Sequence, residues 1–220
     1  SKYLKTVFKD KIIDITNGVD LDIFKQQSPN FADLDLTEIK DKKIILFVGN
    51  ILPLKRLDLL IRAVKLLNDS NFVLLVVGGG YELHRCQQLA KDLGVDNQVL
   101  FIGPCQDQQK LVEYYNIATC VAVPSDYESF SLVAVEALAC EVPVVASDLP
   151  VFQHKLSQAV FFTPGSAEDL VKALQKVLSM SVGERQTVTE KGRAEVSLTY
   201  SWQDHMEKLE NVYRSVLSKS

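Results

Sequence analysis

The sequence contains no apolar stretch long enough to cross a membrane as a helix. Its longest apolar runs, such as Phe72 to Val77, fall far short of the roughly 18 residues that such a helix needs. The first residues, from Ser1 to Lys5, do not have the pattern of a secretory signal peptide. We therefore expect a cytoplasmic protein without a transmembrane segment.

Cysteine and histidine are scarce, and neither residue type shows the spacing of a metal site. No Cys-x-x-Cys pair occurs among the four cysteines, which are Cys86, Cys105, Cys120 and Cys140. Three of them lie in apolar sequence, which favours reduced core thiols over disulfides. The three histidines, His84, His154 and His205, share no ligand spacing. These residues give no sign of a bound metal ion.

Positive charge is not concentrated in any part of the chain. The sequence has 24 Lys and Arg against 28 Asp and Glu, a net charge of −4, with no polybasic run and no aromatic residues interleaved with basic ones. These absences argue against a nucleic-acid partner. No P-loop is present, and Gly78-Gly79-Gly80 fails as a dinucleotide fingerprint because Leu83 stands where a third spaced glycine belongs.

Apolar strands alternate with amphipathic helices along the chain. The 220 residues, 47% of them hydrophobic, can bury one substantial core, so one domain is expected. Strands are predicted at Ile12 to Thr16, Lys43 to Val48, Phe72 to Val77, Val99 to Ile102, Thr119 to Val123, Pro143 to Ala146 and Val160 to Phe162. Helices are predicted at Leu57 to Asn68, Tyr81 to Leu93, Gln106 to Asn116, Phe130 to Ala139, Ala167 to Leu178, Val182 to Thr199 and Ser201 to Ser218.

This alternation predicts an α/β fold in which a parallel sheet carries helices on both faces. Ligands of such sheets bind beyond the carboxyl ends of the strands. Four segments that are distant in sequence should therefore meet at one edge: Gly49 to Arg56, Gly78 to Glu82, Gly103 to Cys105 and Ser125 to Leu132. The polar segment from Lys25 to Lys42 is predicted to be a mobile surface loop.

The most informative segment, from Pro124 to Cys140, places Glu128 and Glu136 eight residues apart around a predicted helix start. The helix should begin near Phe130 or Ser131, where free N–H groups and the helix dipole favour a pyrophosphate. Were the whole interval helical, the two carboxylates would lie about 12 Å apart, comparable to a nucleoside diphosphate-sugar. Twelve Glu residues give such pairs by chance, but Glu136 lies in a run too apolar for an idle charge.

The run from Pro124 to Ala146 resembles the nucleotide-sugar-binding signature of the group 1 (family 4) glycosyltransferases, in which two Glu are spaced as here. Four further segments agree with that family and come in its order: Asn17 to Asp20 with Phe24, Phe47 to Gly49 with Lys55 and Asp58, Val76 to Gly80, and Ser201-Trp202 with the helix after it. The resemblance extends from residue 12 to the C-terminus.

The resemblance implies a Rossmann-like domain that forms the C-terminal half of the two-domain B-type glycosyltransferase fold. Such a domain binds a nucleoside diphosphate-sugar for transfer of the glycosyl group to a hydroxyl, with retention of configuration and without a metal or other cofactor. Catalytic roles are implied for Glu128, which orients the donor sugar, and for Lys55, which neutralises the leaving diphosphate. Donor binding is implied for Gly49, Asn50, Lys55, Arg56, Gly79, Gly80, Gly103, Pro104, Cys105, Glu128, Ser129, Phe130, Ser131, Leu132 and Glu136, the last on the ribose.

The resemblance also predicts how the chain is organised. Residues 1–220 would form a single donor-binding domain, with 1–11 as the tail of a preceding domain and 201–220 as the closing helix. An N-terminal acceptor-binding half would be missing, so the chain alone should bind donor but turn over poorly or not at all. The expected partners are the nucleotide-sugar and that missing half, through which any peripheral membrane contact would be made. Polysaccharide or glycoconjugate synthesis is the expected process.

Several positions depart from the family pattern. Asn50 stands where the family has Arg, and Arg56, at a position usually held by Gly, is expected to replace that guanidinium. Glu141 occupies a Gly position, and His154 lies near a further Glu of many members. Two Asp-x-Asp triplets, at 20–22 and 33–35, match a metal-binding pattern of other glycosyltransferases but are expected to be coincidental. Two alternatives remain: a non-catalytic binding or assembly module that lost the donor site, and a nucleotide-sugar epimerase on this fold.

Overall fold

The computed structural model describes residues 12–13, 15–153 and 156–217. Its strands are β1 (Lys43–Val48), β2 (Phe72–Val77), β3 (Val99–Gly103), β4 (Cys120–Val123), β5 (Val144–Ser147) and β6 (Val160–Phe162). Its α-helices are α1 (Leu57–Leu67), α2 (Leu83–Asp92), α3 (Gln108–Ile117), α4 (Leu132–Ala139), α5 (Pro150–Gln153), α6 (Ala167–Leu178), α7 (Val182–Thr199) and α8 (Trp202–Leu217). Two 3₁₀ helices lie at Thr37–Ile39 and Pro53–Lys55.

The strands form one parallel sheet in the order β3-β2-β1-β4-β5-β6. β1 pairs with β2 over its full length, from Lys43 opposite Phe72 to Val48 opposite Val77, and with β4 on its other side. Strand order therefore reverses between β1 and β4, and the loops that follow these two strands are neighbours at the carboxyl edge. Such a reversal is where open α/β sheets bind ligands.

Different helices cover the two faces of the sheet. The buried apolar residues form two clusters, one with α1, α2 and α6 and the other with α3, α4 and α7. Within β1, Ile45 and Phe47 belong to the first cluster, whereas Ile44 and Leu46 belong to the second. Side chains of a strand point alternately to opposite faces, so a strand covered on both faces must be apolar throughout. The predicted α/β architecture is thus confirmed.

Six of the seven predicted strands are confirmed to within one residue at each end. The seventh, Ile12 to Thr16, is wrong, because residues 12–13 and 15–16 lie in no strand. The backbone pairing falls later in the chain: Val19 forms an isolated parallel bridge with Ser201 and exchanges hydrogen bonds with Tyr200 and Trp202. Apolar alternation predicted a strand, but it supplied no partner for one.

The segment from Lys25 to Lys42 lies mostly at the surface, as its polar composition predicts, but three of its residues are buried. Leu34, Leu36 and Ile39 are 7%, 5% and 6% exposed and belong to the cluster that includes α3 and α4. The 3₁₀ helix Thr37–Ile39 directs Ile39 into that cluster. Three apolar side chains spaced among acidic residues thus attach the segment to the core.

The closing helix α8 is confirmed over its described length, and none of its residues is buried. The start of α8 packs closely against Gly18, where a Cβ would lie only 2.8 Å from the Trp202 Cα. Within the described ranges, no helix combines the length and the apolar character needed to span a bilayer.

Glycine is required where the loops after β1 and β2 cross. A Cβ on Gly78 would lie 1.9 Å from the Gly49 carbonyl oxygen, and a Cβ on Gly80 would lie 2.4 Å from that of Ile51. Both glycines also have positive φ angles, of 153° and 155°. Only a residue without a side chain allows the two backbones to come this close.

Candidate functional site

The four segments predicted to meet at the carboxyl edge of the sheet do meet there. Backbone N–H groups of each loop donate to carbonyl oxygens of the next, so that the loops form one connected rim. The joining bonds run from Gly49 to Val77, from Ile51 to Gly79, from Gly78 to Gly103 and from Asp126 to Leu54, with N–O distances between 2.8 and 3.0 Å.

The two predicted catalytic residues contact each other. The Lys55 Nζ lies 2.6 Å from the Glu128 Oε1, although 73 residues separate them in sequence. The Ser125 hydroxyl donates to the same oxygen at 2.8 Å. The Glu128 side chain is only 8% exposed and that of Lys55 27%, so solvent and salt screen this pair less than a surface pair. The contact forms because β1 and β4, which precede the two loops, are neighbours in the sheet.

Arg56 follows Lys55 and is bound by two carboxylates of the chain itself. Its Nε lies 3.1 Å from Asp58, and its Nη1 lies 3.0 Å from both oxygens of Asp126. These contacts, with Asp58 as the largest cause, raise the pKa of Arg56. The Arg56 backbone has a φ of 50°, in the left-handed region, which glycine adopts with less strain than arginine.

The first turn of α4 is open. The helix begins at Leu132, one or two residues later than the sequence predicts, because Ser131 takes a left-handed conformation with φ 69° and ψ 82°. No side chain caps the helix start, and Leu132 is 43% exposed. The first N–H groups of a helix have no intrahelical acceptor, and the dipole makes them a site for negative charge.

Glu136 lies one turn further along α4 and is largely withdrawn from water. The hydroxyl of Tyr115, on α3, donates to its Oε2 at 2.7 Å. Burial raises the pKa of Glu136, and the hydrogen bond from Tyr115 opposes that rise. Within the described part of the chain, no Lys, Arg or His forms an ion pair with this carboxylate. A carboxylate in such surroundings is expected to have a further donor, which a ligand can supply.

The other predicted donor residues lie along the same rim. Gly79 and Gly103 accept joining hydrogen bonds, Pro104 is exposed, and the Cys105 thiol donates to the Asp107 carbonyl at 3.3 Å. The remaining ones are Asn50, Gly80, Ser129 and Phe130, whose ring packs edge-on against Tyr200 at 5.4 Å. Their roles toward a ligand stay predictions.

Sequence reasoning missed three residues of the site. The sequence places Ser125 and Asp126 in a rim segment without indicating a role for either, and it places Tyr115 only within a predicted helix. The bonds of Asp126 to Arg56 and of Tyr115 to Glu136 span 70 and 21 residues. No sequence pattern predicts contacts of this kind, because they depend on how loops and helices pack.

Glu141 is far from the rim, at the carboxyl end of α4. Its φ of 59° is left-handed, its N–H donates to the Leu138 carbonyl, and the Val142 N–H donates to the Ala137 carbonyl. This is the hydrogen-bond pattern of a helix end that glycine usually completes. The departure at Glu141 is therefore accommodated in the helix end, away from the site, whereas His154 lies outside the described residues.

The acidic triplets at 20–22 and 33–35 have local structural roles. Asp20 accepts hydrogen bonds from the N–H groups of Asp22 and Ile23, and Asp33 accepts one from the Asn30 side chain. Among the described residues, no three His, Cys, Asp or Glu side chains are grouped so that they could hold a metal ion. All four cysteines are free thiols, and Cys86, Cys120 and Cys140 are buried.

We predict that the free energy of unfolding of Arg56→Gly differs from that of the unchanged chain by no more than about 1 kcal/mol. The two ion pairs that are lost involve partly exposed partners and contribute at most about 1 kcal/mol each. Glycine relieves a left-handed conformation that costs about 1–2 kcal/mol. Thermal unfolding measures the difference, with Asp126→Asn as the matched control that removes charge without relieving the backbone. A loss well above about 2 kcal/mol in Arg56→Gly would show that the ion pairs hold the loop in place.

Comparison with known proteins shows two kinds of similarity, the first of which lies in sequence. A family model described as group 1 glycosyl transferases matches residues 32–195. A D-inositol 3-phosphate glycosyltransferase from Saccharomonospora viridis is 35% identical over 223 residues, covering 95% of this chain and 51% of that protein. The chain spans about half the length of the curated relatives that it matches.

The second similarity lies in the fold. The sucrose-phosphate synthase from Thermosynechococcus elongatus has a TM-score of 0.87 at 28% identity, covering 100% of this chain and 57% of that one. The Anabaena protein HepE, solved in complex with UDP and glucose, has a TM-score of 0.81 at 20% identity, covering 93% of this chain and 56% of that one. Each of these two proteins contains the present fold as about one half of its chain.

Proposed function

The chain belongs to the group 1 glycosyl transferases, and on that premise we propose that it binds the nucleoside diphosphate-sugar of a glycosyl transfer reaction. Its parallel sheet and flanking helices form one half of the two-domain B-type glycosyltransferase fold. The proposed reaction moves the glycosyl group to a hydroxyl acceptor with retention of configuration and needs no metal ion.

One observation carries the proposal: two shielded carboxylates flank the open first turn of α4. Glu128 precedes that turn and contacts Lys55, while Glu136 follows it. A ligand that fits has negative charge at its centre and hydroxyl groups at both ends. The helix start favours the central charge by about 0.3–1 kcal/mol, and the carboxylates accept hydrogen bonds from hydroxyls. A nucleoside diphosphate-sugar has this arrangement of groups.

The diphosphate would lie between Lys55 and the amides of Ser131 and Leu132. An ammonium group has three N–H donors, so Lys55 can bond Glu128 and a phosphate oxygen together. Arg56 would contribute little, because its guanidinium is bound to two carboxylates that offset its charge. Asn50, which is exposed on the rim, would offer an amide where relatives offer a guanidinium.

The two ends of the donor would be held by different groups. Glu128 would bind hydroxyls of the transferred sugar, and Glu136 would bind those of the ribose. The base would meet the backbone from Gly103 to Cys105. Gly79 and Gly80 leave the rim without side chains beside the loop after β1, which lets a ligand approach the backbone.

Transfer would be driven mainly by charge stabilisation of the leaving diphosphate. Negative charge grows on its oxygens as the bond to the sugar breaks, and Lys55 together with the α4 amides is already in position to stabilise it. Removing one such preorganised donor typically costs about 2.7–4 kcal/mol of barrier, or about 10²–10³ in rate. The acceptor would be supplied by the other half of the fold, so transfer by the whole protein is part of the proposal.

A donor screen tests the proposal. Thermal unfolding of the chain is measured with UDP-, GDP- and ADP-sugars, and positive results are confirmed by calorimetry. A true donor at 100 times its dissociation constant should stabilise the chain by about 2.7 kcal/mol. Free sugar and inorganic pyrophosphate serve as controls and should bind much more weakly, since each fills only part of the site.

Absence of binding by every nucleotide-sugar would contradict the proposal. It would favour a non-catalytic module, to which two observations also point: Asn50 replaces a cation, and Arg56 is bound by carboxylates of the chain.

A further inference from the structure

The Glu136 carboxylate receives a single hydrogen bond from the described part of the protein. The Tyr115 hydroxyl donates to Oε2, and this bond leaves the second oxygen, Oε1, for a ligand. A carboxylate this shielded from water usually has a cation or several donors. The geometry therefore divides the carboxylate into a structural oxygen and a binding oxygen.

Tyr115 is held rigidly at the position from which it donates. Its side chain is fully buried, and its ring packs edge-on against Phe24 with centroids 6.1 Å apart and an interplanar angle of 67°. Burial, and then the charge of Glu136, raise the pKa of Tyr115 well above 10. The hydroxyl therefore keeps its proton throughout the neutral range and acts as a permanent donor.

We infer that Tyr115 is a positioning residue that holds one oxygen of Glu136 so that the other accepts hydrogen bonds from the ribose of a nucleoside diphosphate. The inference rests on the proposed function and deepens it. The role of Glu136 makes nucleotide affinity depend on its ionisation. Both oxygens of the ionised carboxylate accept hydrogen bonds, whereas one oxygen of the protonated carboxyl carries a proton and donates.

Burial raises the pKa of Glu136, and among the groups that surround the carboxylate Tyr115 is the one whose hydrogen bond opposes that rise. On α4 itself, burial raises the pKa of Cys140 to about 12, so this thiol is neutral. From α7, Arg193 lies 3.8 Å from Glu141 at the helix end rather than in an ion pair with Glu136. The strands β4 and β5 present apolar side chains to the same core cluster: Val121, Val123, Val144 and Ala146.

Tyr115→Phe tests the inference, because it removes the hydroxyl and keeps the ring. Calorimetry measures UDP affinity over a series of pH values from mildly acidic to mildly basic. The hydrogen bond favours the ionised form, so its loss raises the pKa of Glu136 further. The fall in UDP affinity on acidification should then begin at a higher pH than in the unchanged chain. Tyr114→Phe, at the adjacent buried tyrosine, is the matched control and should leave the profile unchanged.

A second measurement makes the result independent of nucleotide binding. Carboxyl ¹³C NMR of the free chain follows the titration of Glu136 directly, and Tyr115→Phe should raise its pKa. An unchanged Glu136 titration, or an unchanged pH profile in a variant that binds UDP, would overturn the inference and leave the proposed function intact. Failure of the unchanged chain to bind UDP, GDP or ADP would overturn both.

Discussion

Glu136→Gln is expected to weaken binding of UDP, or of whichever nucleoside diphosphate the screen selects, by about 10- to 150-fold. The substitution keeps the size of the side chain but replaces a charged acceptor by a neutral amide. Hydrogen bonds to a charged group contribute about 1.5–3 kcal/mol, which corresponds to that range of affinities. Calorimetry over a pH series measures the effect, which should be largest at the basic end, where the largest fraction of the unchanged carboxylate is ionised.

The same variant should be at least as stable as the unchanged chain at neutral pH. Because burial raises the pKa of Glu136 above its ordinary value of 4.5, the folded state binds this proton more tightly than the unfolded state. The contribution of Glu136 to the free energy of unfolding is therefore greatest at low pH. It falls as the pH rises through 4.5 and then through the raised pKa of the folded state. Glutamine does not ionise and avoids that loss. The difference in unfolding temperature between Glu136→Gln and the unchanged chain should therefore decrease on acidification.

Glu141→Gln is the matched control, since it makes the same substitution at the far end of α4. It should change UDP affinity by less than about twofold, because water and salt screen the interaction between a charge this far from the rim and the bound nucleotide. Equal affinity in Glu136→Gln and the unchanged chain would remove Glu136 from the site.

Lys55→Met is expected to lower UDP affinity by 100-fold or more, on the order of 3 kcal/mol. Two effects add. The diphosphate loses the ammonium, and Glu128 keeps only the Ser125 hydroxyl as its donor, so an unpaired negative charge remains beside the phosphates. Calorimetry with UDP and with uridine separates this role from that of Glu136. Lys55→Met should reduce the preference for UDP over uridine, whereas Glu136→Gln should weaken binding of both.

Two further variants complete the test of Lys55. Lys55→Arg keeps the positive charge and should recover part of the affinity, although the planar guanidinium does not reproduce the ammonium. Lys208→Met removes a lysine that is paired with Asp204 on α8 and should leave UDP affinity unchanged. The salt dependence of UDP binding should also decrease in Lys55→Met alone. A UDP preference that survives Lys55→Met would place the diphosphate elsewhere.

The sheet could be predicted from the sequence because of how its strands are buried. β1 and β2 are covered on both faces, so β2 is apolar over its whole length and β1 is apolar after its first residue, Lys43. α6 was predicted to the residue because its pattern is amphipathic, and Ser166 caps its start by accepting from the Asp169 N–H. The segment at Ile12 shows the limit, since an apolar pattern without a pairing partner does not become a strand.

The site was only partly predictable. Parallel strand order was enough to bring the rim loops together, and with them Lys55 and Glu128. The left-handed turn at Ser131 cannot be read from the sequence, since serine rarely takes that conformation and no local pattern indicates it. The contact of Tyr115 with Glu136 depends on how α3 packs beside α4. These side-chain contacts are the part of the site that sequence periodicity does not describe.

The measurement that tests the central claim most directly is a crystal structure of the chain with a bound UDP-sugar. We predict the diphosphate within hydrogen-bonding distance, about 2.7–3.2 Å, of the Lys55 Nζ and of the first backbone amides of α4. The ribose should contact Glu136 Oε1, and the sugar should contact Glu128. A nucleotide bound away from this rim, or one that leaves Glu136 bonded to Tyr115 alone, would contradict the account.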